Sequence, residues 1–167
     1  MKGMVVELIA ESVIFIFPAY SANAVPVVLG GGQPLDFGKT FKDGRPIFGP
    51  HKTFRGFFAG LIIGTLVGIG ECYIFNNYNP LLGFALSLGA LVGDLIGAFV
   101  KRRLNFAPGA FFPILDQIDF VFFALLFSFL VTPPTLEMVL VIIVLTIPIH
   151  LLTNVLAYLA HAKKKPW

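Results

Sequence analysis

Three aspartates lie in or beside stretches apolar enough to enter a membrane. Asp94 precedes Lys101 by seven residues, whereas Asp116 and Asp119 are spaced i, i+3, which puts both carboxylates on one helical face. Ionisable groups at membrane depth are costly and by default mark functional sites. Simpler interpretations are a salt bridge from Asp94 to Lys101 or Arg102, and ordinary acids at a helix N-terminus for the other two.

A long hydrophilic stretch, 30–56, reads GGGQPLDFGKTFKDGRPIFGPHKTFRG. Its prolines exclude a regular helix, and its glycines let backbone N–H groups approach a ligand closely. A basic loop of this kind suits a polyphosphate; the alternative is a solvated loop between two membrane helices. Together with the aspartates, it would suit Mg²⁺, which binds carboxylate and phosphate oxygens, and in-line attack at phosphorus. The ionisable residues of the loop are Asp36, Lys39, Lys42, Asp43, Arg45, His51, Lys52 and Arg55.

The elements that must position these residues are membrane helices. The chain of 167 residues is 57% hydrophobic with a mean hydropathy of +0.87, which indicates an integral membrane protein of one domain, 1–167. Backbone polar groups in lipid must be satisfied internally, so we expect an all-α fold. The single cysteine, Cys72, excludes an intramolecular disulfide. Five apolar runs predict transmembrane helices at about 4–29, 57–75, 80–100, 113–131 and 136–160, with cytoplasmic loops at 30–56 and 101–112.

The distribution of cations predicts the orientation. If the 30–56 loop is cytoplasmic, 11 of the 12 lysines and arginines lie inside and only Lys2 lies outside. This is the positive-inside pattern, so we expect the N-terminus outside and the C-terminus inside.

Other polar residues in apolar surroundings carry weaker predictions. Asn23 and Asn154 could line a cavity open to the inside or bond neighbouring helices, and His150 suits a helix–helix hydrogen bond. Glu11 and Glu71 fall toward the outer half, as does Glu7. No Ser-His-Asp array, CxxC pair, GxxxxGK[ST] loop or HExxH motif occurs, so serine hydrolysis, zinc chemistry and P-loop ATP use are unsupported.

Three collinear motifs resemble the archaeal CDP-archaeol synthase family, membrane cytidylyltransferases related to the CDP-diacylglycerol synthases. They are DFGKTFKDGRPIFGPHKTFRG in the loop, GDLIGAFVKRR at 93–103 and LDQIDF at 115–120. Ala98 stands where relatives often have serine, and Gln117 replaces the arginine of the bacterial Asp-Arg motif. The bacterial Lys-Asp pair and His-Gly-Gly run are absent. These departures fit the archaeal branch.

The resemblance implies a reaction and its participants. CTP and 2,3-bis-O-(geranylgeranyl)-sn-glycerol 1-phosphate would give CDP-archaeol and pyrophosphate in archaeal phospholipid biosynthesis, with Mg²⁺, at the cytoplasmic face of the cell membrane. The lipid phosphate is already anionic and needs no strong general base. No nucleic-acid partner is expected; a homodimer is allowed. The hydrophobic 104–114 segment would contact the lipid chains.

Site roles follow from the same resemblance, joined to the charge pattern. Asp94, Asp116 and Asp119 would be catalytic metal ligands, and Lys101 and Arg102 would complete the catalytic cradle. The predicted substrate-binding residues are Asn23, Asp36, Lys39, Lys42, Asp43, Arg45, His51, Lys52 and Arg55, although Asp36 and Asp43 could instead pair with nearby cations to shape the loop.

Three alternatives belong to other classes. A small transporter or channel would use Asp94, Glu11 and Glu71 as an ion path, although no internal repeat is visible. A CDP-alcohol phosphatidyltransferase would need an Asp-Gly-x-x-Ala-Arg array, which Asp43-Gly44-Arg45-Pro46 does not match. A structural protein gripping anionic lipid heads would leave Asp94 unexplained.

Overall fold

Five helices form the protein in a computed structural model that describes residues 2–75, 79–107, 110, 112 and 115–161. The helices are α1 (Lys2–Leu29), α2 (Phe54–Phe75), α3 (Pro80–Arg103), α4 (Leu115–Ser128) and α5 (Leu136–Leu159). Within these ranges the only strand-like pairings are two isolated bridges in the α1–α2 loop, Pro34 with Thr53 and Thr40 with Pro46. The predicted all-helical fold is confirmed.

Among the described residues, four helices, α1, α2, α3 and α5, are long and apolar enough to cross a membrane. They match four of the five predicted spans. The fourth predicted span, 113–131, is shorter in the structure: α4 has 14 residues, about 21 Å at 1.5 Å per residue. Its helix ends at Ser128, whose hydroxyl donates to the carbonyl of Leu125 and whose own carbonyl accepts from the N–H groups of Val131 and Thr132. The two prolines that follow, Pro133 and Pro134, cannot continue the helix. The start of that prediction, 113–114, lies outside the described residues.

Glycines spaced four apart let α2 pack closely in the groove between α1 and α3. Gly56, Gly60, Gly64 and Gly68 are all buried. A Cβ at Gly60 would lie 2.5 Å from the carbonyl oxygen of Ala22 in α1, so only glycine fits. Without a hydrophobic driving force between helices in lipid, such backbone approach provides the van der Waals contact that holds them together.

A second glycine row joins α3 to α4 and sets the position of Asp119. A Cβ at Gly93 would lie 2.5 Å from the carbonyl oxygen of Asp119, and one at Gly89 would lie 2.5 Å from that of Phe123. A Cβ at Gly97 would overlap the Asp119 carboxylate itself. The motif containing Asp94 therefore presses directly on the motif containing Asp119.

The centre of the bundle is α3, of which 61% of the most apolar window is buried, against 17–33% in the other three candidate spans. Its Leu86 and Ala90 pack with Ile16 of α1, Val121 of α4 and Ile142 of α5. The outward faces of the other helices are apolar and exposed, as lipid contact requires. Asp94 is thus carried on the most firmly held helix.

Candidate active site

The buried carboxylate of Asp36 organises the 30–56 loop. It accepts backbone N–H groups from Gly38 at 3.0 Å and from Phe48 and Gly49 at 2.9 Å each. Burial alone would raise the pKa of Asp36, but these N–H donors outweigh it and hold the pKa below its usual value. Asp36 thus shapes the loop, but the prediction that it would do so by pairing with a cation is wrong, because its partners are backbone N–H groups.

Arg103 ties the loop to the end of α3. It contacts the Asp43 carboxylate at 2.5 Å and donates to the Pro46 carbonyl at 2.6 Å, while its guanidinium lies 4.9 Å from the ring centres of both Phe41 and Phe99. Asp43 therefore does pair with a cation, as its alternative prediction had it. No role was predicted for Arg103, although its place in the Lys-Arg-Arg run was a signal that could have marked it.

The first acid–base contact of the site joins the loop to α3. Lys52 Nζ lies 2.6 Å from each carboxylate oxygen of Asp94, and both side chains are a little over a quarter exposed. Asp94 therefore has a salt bridge, but with Lys52 and not with Lys101 or Arg102.

The second contact joins α3 to α4. Lys101 Nζ lies 2.6 Å from Asp116 Oδ1 and donates to the carbonyl of Ala110 at 3.2 Å. The other carboxylate oxygen of Asp116 accepts the N–H of Phe112 at 3.1 Å. The predicted catalytic residues Lys101 and Asp116 are thus brought together, with α3 and α4 each contributing one charge.

Asp119 completes an acidic face against α3. It is partly buried and lies within electrostatic range of Asp94, Lys52 and Asp116. In the part of the chain that the structure describes, no three His, Cys, Asp or Glu side chains converge as a ready-made metal cage. The predicted metal ligands are therefore neighbours, with Asp94 and Asp116 each holding a lysine.

Four predicted phosphate ligands stand free at the surface. Across residues 2–75, 79–107, 110, 112 and 115–161, no hydrogen bond or ion pair engages their side chains, and all four are exposed. They remain available to an anion from solution. These residues are Lys39, Lys42, His51 and Arg55.

Two cavities flank the ion pairs. One, between Lys52, Asp94 and His51, encloses about 20 Å³, room for one or two waters and not for a nucleotide. The other, about 220 Å³, is lined by Arg45 and Arg102 beside the end of α3.

The remaining candidate residues lie on α1, α2 and α5. Asn23 is partly buried one turn before Pro26, which lines the smaller cavity. Asn154 bonds His150 within α5 at 3.3 Å, and the His150 ring lies 5.8 Å from that of Phe120. Glu71 lies near the far end of α2, about 26 Å along the helix from its loop end. Glu11 lies about 27 Å along α1 from its loop end. Both glutamates of the transporter alternative are therefore far from Asp94, which lies near the loop.

Apolar helices that carry carboxylates toward a basic loop are the arrangement of an intramembrane enzyme that handles phosphate groups. The family model described as CarS-like, CDP-archaeol synthase, matches residues 5–167. A CDP-archaeol synthase of Pyrococcus furiosus is 53% identical over 95% of this chain and 98% of its own length. That of Methanocaldococcus jannaschii is 44% identical over 98% of this chain and its full length.

A solved structure agrees with both. It is described as an intramembrane enzyme for archaeal membrane lipid biosynthesis, and it shares 38% identity and a TM-score of 0.83 over 88% of this chain and 94% of its own. The chain belongs to the CDP-archaeol synthase family. The resemblance drawn from its three motifs is confirmed, and the protein is a multi-pass membrane enzyme.

Proposed function

We propose that this enzyme transfers the CMP part of CTP to the phosphate of 2,3-bis-O-(geranylgeranyl)-sn-glycerol 1-phosphate. An oxygen of the lipid phosphate forms a bond to the α-phosphorus of CTP. The bond between that phosphorus and the bridging oxygen to the β-phosphate breaks, and its electron pair leaves with pyrophosphate. The observation that carries the proposal is the contact of Lys52 with both oxygens of Asp94, which joins the basic loop to α3 beside Asp116 and Asp119 of α4.

Before the substrates bind, Lys52 and Lys101 are each paired with an aspartate. Each neutralises an aspartate at 2.6 Å. An entering polyphosphate offers the lysines stronger, more numerous acceptors, so they turn to the phosphates and release the carboxylates. Catalysis then rests on positioning and charge neutralisation, because the attacking phosphate is already ionised.

The carboxylates fit Mg²⁺. This ion binds through one or two carboxylates together with substrate phosphates and retained waters, so a cage of three protein ligands is not required. Asp94 and Asp119 lie on facing helices within electrostatic range of each other, and Asp116 is one turn from Asp119. We assign these three aspartates as the residues that hold the ion. When bound, it would screen the charge of the reacting phosphates.

The exposed cations recruit the nucleotide from the cytoplasm. Lys39, Lys42, His51 and Arg55 have no partner in the described ranges. The two lysines and the arginine present positive charge around the entrance, and His51 adds an imidazole. We assign the uncharged amide of Asn23, partly buried in α1 one turn before Pro26, to the lipid headgroup. Asp36 and Asp43 act on the substrate indirectly, through the loop that they fix.

The proposal includes a membrane topology with five spans. We assign α4 as a fifth membrane segment, because its Phe122 and Leu126 are exposed and apolar while its other face packs on α3. The N-terminus then lies outside, and the loop, the acidic face and the C-terminus lie in or at the cytoplasm. The prenyl chains enter sideways from the bilayer, beside the 104–114 segment, much of which lies outside the described residues.

Pyrophosphate release from CTP tests this function. Purified protein in lipid or detergent is supplied with CTP, Mg²⁺ and the geranylgeranyl ether-lipid phosphate, together and with each omitted. We expect turnover only with all three, and a loss of about 100-fold or more in Asp94→Asn. Glu137→Gln, the same change at an exposed position in the first turn of α5, should retain activity. Folded protein with no turnover on any lipid phosphate would refute the proposal.

A further inference from the structure

Asp119 is the one aspartate of the acidic face without an ion pair among the described residues. Asp94 and Asp116 each contact a lysine at 2.6 Å, whereas the carboxylate of Asp119 contacts none. Its Oδ1 accepts the N–H of Phe120 at 2.6 Å, and the residue is partly buried. The position of this carboxylate therefore depends on the shape of its surroundings more than on a paired charge.

Gly97 of α3 provides that shape. A Cβ at this position would overlap the Asp119 carboxylate, and its three nearest atoms would all belong to the Asp119 side chain, with Cγ at 2.8 Å and Cβ at 3.2 Å. The carboxylate thus fills a notch that exists because Gly97 has no side chain. Gly97 lies inside α3 in helical backbone, where alanine is the better helix former. The backbone conformation of α3 therefore gives no reason for a glycine at this position.

The two preceding glycines of the same row contact backbone instead. A Cβ at Gly93 would lie 2.5 Å from the carbonyl oxygen of Asp119, and one at Gly89 would lie 2.5 Å from that of Phe123. Those two positions set how closely α3 and α4 approach, because backbone cannot move aside without moving the helix. Gly97 differs from them, because the group that it admits is the end of a side chain that can rotate.

The Gly97 notch lies between two charged residues of α3. Asp94, Gly97 and Lys101 are spaced i, i+3 and i+7, so they share one helical face. Lys101 contacts Asp116, and Asp119 follows Asp116 by one turn of α4. The notch therefore admits the Asp119 carboxylate to the face of α3 one turn from Asp94 and within electrostatic range of it.

We propose that Gly97 is a positioning residue for the divalent cation: its missing side chain lets Asp119 lie beside Asp94, so that both carboxylates can hold one ion. The inference rests on the proposed function and deepens it, because it identifies the contact that places the third aspartate. Mg²⁺ demands near-ideal octahedral geometry, so it tolerates little displacement of a carboxylate. A methyl group at position 97 would turn the Asp119 carboxylate out of the notch.

Metal binding without turnover tests this role. Mn²⁺, which accepts the same oxygen ligands, is titrated into purified full-length protein in detergent with CTP and without the lipid phosphate. Free Mn²⁺ is followed by electron paramagnetic resonance. Gly97→Ala should weaken Mn²⁺ binding about 10- to 100-fold, the usual effect of disturbing a group that orients a metal ligand.

Gly89→Ala is the matched control, because it makes the same substitution in the same helix and at the same interface, but against backbone. We expect Gly89→Ala to lower the melting temperature more than Gly97→Ala does, and to weaken Mn²⁺ binding less. A purely structural role for Gly97 would give the two variants the same order in both measurements.

A double-mutant cycle, measured with metal removed by chelation, tests the contact itself. Gly97→Ala should lower the melting temperature of the otherwise wild-type protein. In the Asp119→Ala background the carboxylate is gone, so Gly97→Ala should leave the melting temperature unchanged or raise it by up to about 4 °C. Gly89→Ala should lower it equally in both backgrounds. If Gly97→Ala alone does not fold, recovery of folding in the double variant would demonstrate the same coupling.

Two results would overturn the inference. Mn²⁺ binding by Gly97→Ala as tight as that of the wild type would show that the notch does not position a metal ligand. Equal effects of Gly97→Ala in the two backgrounds would show that the residue only packs helices. Wild-type protein that binds no Mn²⁺ would refute the metal assigned in the proposed function, and this role of Gly97 with it, whatever the cycle shows of the contact.

Discussion

Asp36→Asn should loosen the 30–56 loop without unfolding the bundle. Asp36 Oδ2 accepts from both Phe48 and Gly49, and Oδ1 accepts from Gly38, at 2.9–3.0 Å. An amide can replace only one of these oxygens by a donor. Either rotamer therefore loses at least one bond and sets an NH₂ group against a backbone N–H.

The cost follows from those contacts. A hydrogen bond to a charged group contributes about 1.5–3 kcal/mol, and a buried donor left without a partner costs about 1–3 kcal/mol. The residue is 5% exposed, so water cannot take the missing place. We expect local opening to become easier by about 2–4 kcal/mol, which lowers amide-exchange protection roughly 30- to 1,000-fold.

Hydrogen exchange across residues 34–53 measures this effect. Asp43→Asn is the control, because its ion pair is 37% exposed on the aspartate side and exposed pairs contribute about 0–1 kcal/mol. Protection in α3 should be unchanged in both variants. If exchange near Phe48 is the same in Asp36→Asn as in the wild type, the carboxylate does not hold the loop.

The same carboxylate predicts a dependence on pH. Its pKa in the folded protein lies below the unfolded value of about 3.9, so its contribution is present above that value and is lost as the pH falls through the lower folded pKa. Loop protection relative to Asp36→Asn should therefore shrink only in acid.

Three further changes probe packing, charge and metal. Gly64→Leu would drive a side chain into the Pro18 carbonyl, 2.7 Å from the Cβ position, and should lower the melting temperature by several degrees; Gly70→Ala, with nothing within 4 Å, should not. Lys52→Met should raise the CTP concentration for half-maximal rate about tenfold or more in steady-state assays, and full rescue by excess CTP alone would exclude a part for Lys52 in the chemical step. Chelation should abolish pyrophosphate release and added Mg²⁺ should restore it; activity that survives exhaustive chelation would contradict the assignment of a metal.

The helices and the distribution of charge were predictable because both depend on local sequence alone. Apolar runs of spanning length identify membrane helices without any tertiary information, and four of the five have the expected length and character. The shortened α4 has a local cause, the turn in which Val131 and Thr132 donate to the carbonyl of Ser128 just before Pro133.

The residues that pair with Asp94 and with Lys101 were harder to predict from the sequence. Asp94 and Lys101 share a helical face, but seven residues separate them by about 10.5 Å along the axis, too far for direct contact, and each finds a partner on another element. The loop residue Lys52 reaches Asp94 only because the Pro34–Thr53 bridge brings the loop back to the bundle. Such contacts depend on the path of a loop whose glycines adopt positive φ angles, including Gly38 and Gly44.

The two lysine–aspartate pairs explain how the acidic face can persist before substrate binds. An unpaired carboxylate at the edge of the hydrocarbon layer would cost several kcal/mol or take up a proton, and either would disable it. Lys52 and Lys101 remove that cost, yet each is an exchangeable point charge with three donors, unlike the fixed forks of Arg45 and Arg102. The lysines are therefore the groups that must move when the nucleotide arrives, and the arginines are the groups that must already be in place. Exchanging Lys52 for arginine should therefore preserve its charge and the ion pair with Asp94, yet slow turnover, and a variant as active as the wild type would refute this distinction.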